Sequence, residues 1–407
     1  MSTQDNLRGA LAGVRIADFG WVLAGPYATM LLSYLGAEVI KIESRRRPDE
    51  QRIAHRAGFS EDLEASSNFL EVNLNKRSVS LNIATEEGAA LARRIVALSD
   101  VVVENMRPGV MDRLGLGYSE LVKVKPDIIM ASISGWGSTG PLRQYTAYAP
   151  CFASFGGLAN LTGYADGEPN TGTSAMDARS GTAAAFAVLM ALNIRQRTGQ
   201  GQYIDMSSCE ALNSLIGENV LEYVMNGRSP VRQGNQDAIM APHNCYRARG
   251  EDKWISIAVA TDAEWDGLRQ AMGDPEWARD EAFASTYGRW RHRDRLDPLL
   301  QQWTVQHDPR ELTELLQKHG VPAFPSYNAE ELFADPHLRA RESITEVKHP
   351  VLGDRLAVSP PWRLSETPAA ITKTAPLLGE DNEYVLCDLL GLSQDEVARL
   401  AEQKVVY

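Results

Sequence analysis

The stretch Gly172-Thr-Ser-Ala-Met-Asp177-Ala-Arg-Ser-Gly181 holds a single carboxylate among Gly, Ser, Thr and Ala, at the predicted start of a long helix. Small neighbours let another molecule approach, and the free N–H groups of a helix start stabilise negative charge developing on an attacked carbonyl. Asp177 is therefore a candidate nucleophile. Asp is also a preferred N-cap residue, and spacing alone leaves that purely structural role open.

Other residues with chemical potential are scattered along the chain. Arg45-Arg46-Arg47 follows a predicted strand, at the edge where doubly wound sheets bind ligands, and forked hydrogen bonds from such arginines suit phosphates. A solvated turn is the plainer alternative. Gly135-Trp-Gly-Ser-Thr-Gly140 is a literal G-x-G-x-x-G after an apolar strand, but Pro141 follows and residues 142–150 do not open a helix, so it fails as a dinucleotide fingerprint. Glu43, which ends a strand, could imitate a ribose-binding acid, yet the first β-α turn, Phe19-Gly-Trp-Val-Leu-Ala-Gly-Pro26, lacks the glycine pattern. A nicotinamide enzyme is disfavoured. The basic stretch Gly288-Arg-Trp-Arg-His-Arg-Asp-Arg295 is flanked by acids and reads as a solvated helix face.

The formal net charge of −12 disfavours nucleic acid and anionic membrane as partners, because both repel the average surface. An anionic ligand must then be met by local basic patches. Cys151, Cys209, Cys245 and Cys387 are widely spaced and form no C-x-x-C pair, so neither a metal site nor a disulfide framework is expected, and a cytoplasmic setting fits. The polar start, residues 1–8, reads as no signal peptide, and the apolar run 182–193 is too short to span a bilayer.

The elements that must position these residues alternate. Residues 13–19 read as a strand, 24–34 as a helix with Pro26 in its first turn, and 37–43 as a strand. Further strands are expected at 78–82, 100–104, 126–134 and 201–206, with helices at 86–99, 110–124, from Asp177 onward, and at 210–226. That order predicts an α/β fold with a Rossmann-like, open, mostly parallel sheet. The texture changes near Gly227, and a strand at 254–259 is followed by helices rich in Trp, Arg and Asp. A large domain over 1–227, a smaller α+β domain over 228–325, and a return segment over 326–407 completing the large domain are expected. The return segment carries a strand at 355–358 and a helix at 383–390.

From residue 14 to the C-terminus the chain resembles the class III CoA-transferases, a family that includes formyl-CoA, carnitine and benzylsuccinate CoA-transferases. The resemblance rests on the Asp177 stretch, Asn75-Lys-Arg-Ser-Val-Ser-Leu-Asn82, Glu104-Asn-Met-Arg-Pro-Gly-Val-Met-Asp-Arg113-Leu-Gly, and the turn 135–141. It implies an interlaced homodimer with Asp177 as nucleophile. It also implies a coenzyme A site lined by Ala24, Leu81, Asn82, Ile83, Asn105, Met106 and Arg113. Formyl-CoA transferase has a CoA-binding Arg at the position of Ser44; this sequence departs there, and Arg45 is the substitute. His243 and Asn244 fall where the family has a mobile loop that helps select the acyl group, although a surface histidine is the plain reading of His243.

The family reaction moves CoA between carboxylic acids through aspartyl anhydride and aspartyl-CoA thioester intermediates. Coenzyme A is then a cosubstrate, and no tightly bound cofactor or metal is needed. Succinyl-CoA is the expected donor from family frequency. The string from Glu222 through His243 to Ile257 most resembles enzymes of dicarboxylic or aromatic acids. CoA transfer within one dicarboxylate is an alternative, and a non-enzymatic CoA-binding protein a remoter one. α-Methylacyl-CoA racemase shares the fold but uses a His about thirty residues before its Asp. Tyr148 stands at that place here, beside the acyl group, and a phenol with a pKa near about 10 is a poor base at neutral pH.

Overall fold

The computed structural model describes residues 9–55, 58–59 and 61–407; the polar start read above for a targeting signal lies outside them. Six strands form the main sheet: β1 (Arg15–Asp18), β2 (Glu38–Glu43), β3 (Arg77–Ser80), β4 (Val101–Glu104), β5 (Ile129–Ser134) and β6 (Tyr203–Ser207). All five pairings are parallel, in the order β3-β2-β1-β4-β5-β6. The chain winds outward from β1 in one direction and from β4 in the other. Their junction is the switch point at which open α/β sheets leave a ligand crevice at the carboxyl edge.

Both faces of this sheet are covered, which explains strands that are apolar throughout rather than alternating. Val101 and Val103 of β4 point into one core and Val102 into the other. The first core is closed by helices α1 (Ala24–Tyr34) and α4 (Thr173–Thr198). The second is closed by α2 (Glu86–Ala97), whose buried stripe includes Leu91, Ile95 and Val96, and whose start is capped by Thr85 accepting from the Gly88 N–H. The short α3 (Ala149–Phe155) packs with Cys209, Leu212 and Met176 in a smaller cluster.

Three local expectations change. The helix expected over 110–124 is two short ones, because Gly115 takes a φ of +67° and a side chain at Gly117 would collide with the Asp112 carboxylate. The helix expected over 210–226 breaks at 214–216, and its second part is α5 (Gly217–Asn226). The strand expected at 355–358 lies in a separate antiparallel hairpin, β10 (Ile344–His349) with β11 (Gly353–Val358), and does not extend the main sheet. What reaches the sheet from the C-terminus is Val406, bridging Leu81, while the Asn82 N–H donates to the Val405 carbonyl at 2.8 Å.

The chain divides into two compact units. The large one comprises the residues up to 159 together with 171–228 and 337–407; the small one comprises 160–170 and 229–336. Within the small unit, β7 (His243–Arg247), β8 (Trp254–Ala258) and β9 (Ala323–Pro325) form an antiparallel sheet over a core containing Tyr246, Ile257, Trp265, Leu268 and Leu300. Buried Arg289 ties this core together, donating to the Ala241 and Phe283 carbonyls and pairing with Asp262 at 2.8 Å.

In the large unit α4 packs extensively on α1, and Gly181 is a point of close backbone approach. A Cβ there would lie 2.7 Å from the Ala24 carbonyl oxygen and 3.1 Å from the Ala28 nitrogen. Both neighbours are helix backbone and cannot rotate away. Gly181→Val is expected to cost about 1–3 kcal/mol by overpacking, read as a lower urea midpoint with an unchanged slope.

Candidate active site

At the carboxyl edge of β1 the chain makes the turn Gly20-Trp-Val22 before α1, and side chains take up both backbone groups of Gly20 and Trp21 and the N–H of Val22. The Gly20 N–H donates to Asp18 Oδ1 at 2.8 Å, and the Gly20 carbonyl accepts from Lys41 Nζ at 2.8 Å. Asn105, just past β4, clamps Trp21 twice: its oxygen accepts from the Trp21 N–H at 2.7 Å and its nitrogen donates to the Trp21 carbonyl at 2.8 Å. The Val22 N–H donates to Asp49 Oδ1 at 3.0 Å. Asn105 thereby bridges the switch point between β1 and β4, and its carboxamide is spent on the protein's own backbone.

The charges beneath this turn are all buried. Lys41 pairs with Asp49 at 2.9 Å and Lys76 with Asp18 at 2.9 Å, with no side-chain exposure at any of the four. Burial alone would raise the Asp18 carboxyl, but Lys76 and Lys41 hold it below the usual carboxylate range. Glu104, ending β4, behaves oppositely. Burial pushes it up to about 7 although the Ser132 hydroxyl and the Met106 N–H both serve it.

Asp177 is the fifth residue of α4, not its cap; Gly172, in the left-handed region, holds that position. The small residues 172–175 extend the helix one turn further than expected from a capping aspartate. Its height in the fold follows from two contacts. At the far end of α4, Arg195 pairs with Asp100 at 2.7 Å at the amino edge of the sheet, and Gly181 meets the first turn of α1 at the carboxyl edge. Asp177 lies one helical turn, about 6 Å, beyond Gly181 on the same face, which brings it level with the turn preceding α1. Burial pushes its carboxyl up to about 6, and no opposite charge offsets this.

The start of α1 supplies donors there. Its N-cap, Leu23, has no side-chain acceptor, so the Ala24 and Gly25 N–H groups have no partner within the helix; Pro26 has no N–H, and that of Tyr27 donates to the Leu23 carbonyl. Ala24 is buried at this start.

The remaining expected residues are placed as follows. Arg45 is exposed in the turn after β2, whereas the guanidinium of Arg47 lies over Trp21 at 4.6 Å and so is the arginine in contact with the first turn. The side chain of Leu81 is fully buried in the core, which leaves only its backbone for a ligand, and Asn82 is largely buried. Ile83 and Met106 are half-buried beside that core. Arg113 is exposed and folds back over Gly109, where a Cβ would sit 3.6 Å from its Nη1. Tyr148 is 67% exposed at the head of α3. In the small unit, His243 Nδ1 lies 2.6 Å from the Asn235 carbonyl, in a groove also lined by Ser256, Gln317 and Phe324. The Asn244 side chain is occupied, donating to Asp297 at 3.0 Å and accepting from the Cys245 N–H. The turn 135–141 is a bracket: the Ser138 N–H and hydroxyl both donate to Asp205 of β6.

Sequence reasoning missed Lys41 and Asp49, chose Arg45 over Arg47 within the triple arginine, and read Lys76 only as part of the string 75–82. One signal was present, since Lys41 interrupts the otherwise apolar Val39-Ile40-Lys41-Ile42 of a strand that is covered on both faces.

Comparison with known proteins decides the family. Residues 11–382 match CoA-transferase family III. The chain belongs to that family. It is 37% identical to succinyl-CoA–D-citramalate CoA-transferase of Chloroflexus aurantiacus, over 97% of this chain and 98% of the other. It is 34% identical to succinyl-CoA:mesaconate CoA-transferase of Haloarcula marismortui, over 93% and 96%. Among solved structures, a CAIB/BAIF family protein from Brucella suis superposes with a TM-score of 0.86 at 33% identity, covering 94% of this chain and all of that one. The protein is a CoA-transferase, an enzyme whose substrates are coenzyme A thioesters. Among the described residues no helix is long and apolar enough to cross a membrane.

The raised carboxyl of Asp177 has two measurable consequences for this CoA-transferase. A carboxylate attacks only when ionised, so a reaction in which Asp177 were the nucleophile would run at a rate flat above about pH 6 and falling tenfold per pH unit below it. The stability effect has the opposite sense. The native state holds the Asp177 proton more tightly than the unfolded chain, so stability is lost as pH rises from near 3.8 through about 6. Asp177→Asn is expected to melt higher than wild type above pH 6 and to converge with it near pH 4, in thermal scans across that range.

Proposed function

We propose that this enzyme carries CoA from succinyl-CoA to a dicarboxylic acid, with Asp177 as covalent nucleophile. The observation that carries the mechanism is a half-buried carboxylate, raised toward neutrality and free of a neutralising cation, level with the uncapped start of α1. The names of the relatives support succinyl-CoA as donor and a short dicarboxylate as acceptor.

In the proposed exchange the Asp177 carboxylate attacks the thioester carbonyl, and the tetrahedral oxyanion collapses with loss of CoA thiolate to leave a succinyl-aspartyl anhydride. The thiolate then attacks the Asp177 carbonyl, expelling succinate and forming an aspartyl-CoA thioester. The acceptor carboxylate attacks that thioester, giving a second anhydride and thiolate. The thiolate attacks the acceptor's carbonyl, which releases the new acyl-CoA and regenerates Asp177. One thioester is exchanged for another, so neither ATP nor a redox step enters. The Ala24 and Gly25 N–H groups at the start of α1 are proposed as donors to the oxyanions, and a donor of this kind contributes roughly 10²–10³-fold.

Coenzyme A is proposed to lie along the carboxyl edge of the sheet, over Ala24, the backbone of residues 81–83, and Asn105-Met106, with Arg45 and Arg113 reaching its phosphates. His243 is proposed to contact the acceptor. The four cysteines are free, in keeping with a reducing cytoplasm. A homodimer is proposed because α5 exposes Val220, Leu221, Tyr223, Val224 and Met225, while α4 exposes Phe186 and Met190. Light scattering of the wild type at micromolar concentration is expected to give twice the protomer mass, and Val224→Glu with Met225→Glu to lower it; a wild-type monomer would count against the dimer.

The decisive test is chemical. Purified protein given succinyl-CoA and then hydroxylamine is expected to gain a mass on the peptide containing Asp177. Asp177→Ala is expected to bind CoA but lose exchange by at least about 10³-fold. An unmodified wild-type peptide together with an active Asp177→Ala enzyme would sink the covalent route. α-Proton exchange in deuterated water without CoA transfer would favour racemase chemistry. Assay against citramalate, malate, mesaconate, glutarate and aromatic acids separates the acceptors, and CoA exchange without an added acceptor identifies transfer within one molecule.

A further inference from the structure

The turn before α1 is more tightly held than a connection between a strand and a helix needs. Val22 is β-branched and has a φ of +60°, a conformation that such residues rarely adopt and that persists only when its surroundings impose it. What imposes it is a set of four side chains, Asp18, Lys41, Asp49 and Asn105, that together take up the N–H and carbonyl groups of Gly20 and Trp21 and the N–H of Val22. Three of the four are charged and fully buried. Asp49 is also the N-cap of the short helix Glu50–Ile53, accepting from the Gln51 N–H at 3.0 Å through the same oxygen that holds Val22. Its other oxygen is fixed by Lys41, which reaches across to the Gly20 carbonyl. A neutral loop could join β1 to α1 at far lower desolvation cost, so the expense points to function.

We propose that Asp49, locked by Lys41, is a positioning residue for the acyl transfer: it holds the strained Val22 turn so that the first N–H groups of α1 stay fixed opposite the Asp177 carboxyl. The proposal rests on the covalent reading of Asp177 and adds what keeps the oxyanion donors in place. Preorganised donors act only if they need not reorient during reaction, and a displacement of about 1 Å costs on the order of 10²-fold in rate. Gly25 marks how little slack there is, because a Cβ on it would lie 2.9 Å from the Asn105 oxygen and 3.0 Å from the Gly20 Cα. The ground-state thioester makes little use of these donors. Loosening the turn should therefore reduce kcat and leave KM for the acyl-CoA nearly unchanged.

The test follows acylation of Asp177 by succinyl-CoA in single-turnover experiments, using the hydroxylamine-dependent mass gain, in wild type, Asp49→Ala and Asp49→Asn. Each rate is normalised to the fraction of folded, CoA-binding protein. Asp49→Ala is expected to acylate about 10–100-fold more slowly with KM within about threefold. Asp49→Asn keeps an acceptor for the Val22 N–H but loses the ion pair to Lys41, and is expected to fall between Asp49→Ala and wild type. Wild-type acylation rates in the folded fraction of either variant would overturn the proposal, since a merely structural aspartate lowers the amount of folded enzyme and not its rate. Should Asp49→Ala not fold, Asp49→Asn decides alone by the same criterion. Absence of any acylation in wild type would overturn the covalent reading and this one with it, which separates the two failures.

Discussion

A buried charge must be matched, and this requirement organises the carboxyl edge of the sheet. Asp18, Lys41, Glu43, Asp49, Arg52 and Lys76 are all buried there, and removing each from water costs several kcal/mol that only close, multiple contacts offset. The contacts draw in distant parts of the chain. Lys76, just before β3, reaches Asp18 of β1, the Pro26 carbonyl of α1 and the Asn73 side chain. Arg52 donates twice to Glu43 of β2, reaches the Pro376 carbonyl, and lies over the Phe69 ring at 3.6 Å. The sheet edge, the first helix and the C-terminal segment are therefore set by one network, and a ligand meets a surface already fixed from below.

Because its polar groups are committed, this edge can offer a ligand little besides backbone. Asn105 spends both ends of its carboxamide on Trp21, Leu81 is buried, and the Met106 N–H is held by Glu104. A coenzyme with a long, weakly polar arm is suited to such a rim, provided cations stand where its phosphates emerge. In an acidic chain the exposed cations available for that part are local: Arg45, Arg46 and Arg47 after β2, and Arg113 beyond β4, of which Arg45 and Arg113 are the ones proposed. Arg47 is partly withdrawn from that task by stacking on Trp21, an arrangement that couples the basic turn to the strained one.

Much of the fold was legible because it depends on local pattern. The six strands show as short β-branched runs, and α1 falls on residues 24–34 as expected, since small and apolar residues continue without a break until Gly36. The breaks at 114–117 and 214–216 were not legible: one depends on Asp112 occupying the space a side chain at Gly117 would need, the other on where α5 leaves the core. For the site, Asp177 stood out by its small neighbours, and Asn105 and Ala24 through family resemblance. The cage around Val22 did not. Its members are 18, 41, 49 and 105 in sequence, and a Lys or an Asp in isolation reads as a solvated charge; only the pairing of β1 with β2 and β4 turns them inward together.

Asp18 and Asp177 show how one residue type is assigned two roles. Asp18 receives the Gly20 N–H, the Thr29 hydroxyl and the Lys76 ammonium, so its negative charge is fully compensated and it is held below the ordinary carboxylate range. Such a carboxylate is a poor nucleophile, because its charge is already shared with three donors and two buried ammonium groups. Asp177 lies on the neighbouring helix with small residues before it and no cation to offset its burial, and its carboxyl rises to about 6. At neutral pH it is still ionised, yet its charge is poorly solvated, and in that state attack on a carbonyl relieves rather than creates an electrostatic debt. The compensated aspartate fixes the turn; the uncompensated one lies on the helix that packs against α1. Moving the compensation from one to the other would leave the composition unchanged and remove the basis for the chemistry proposed for Asp177, which is why the compensated cage and the uncompensated carboxylate belong to a single argument.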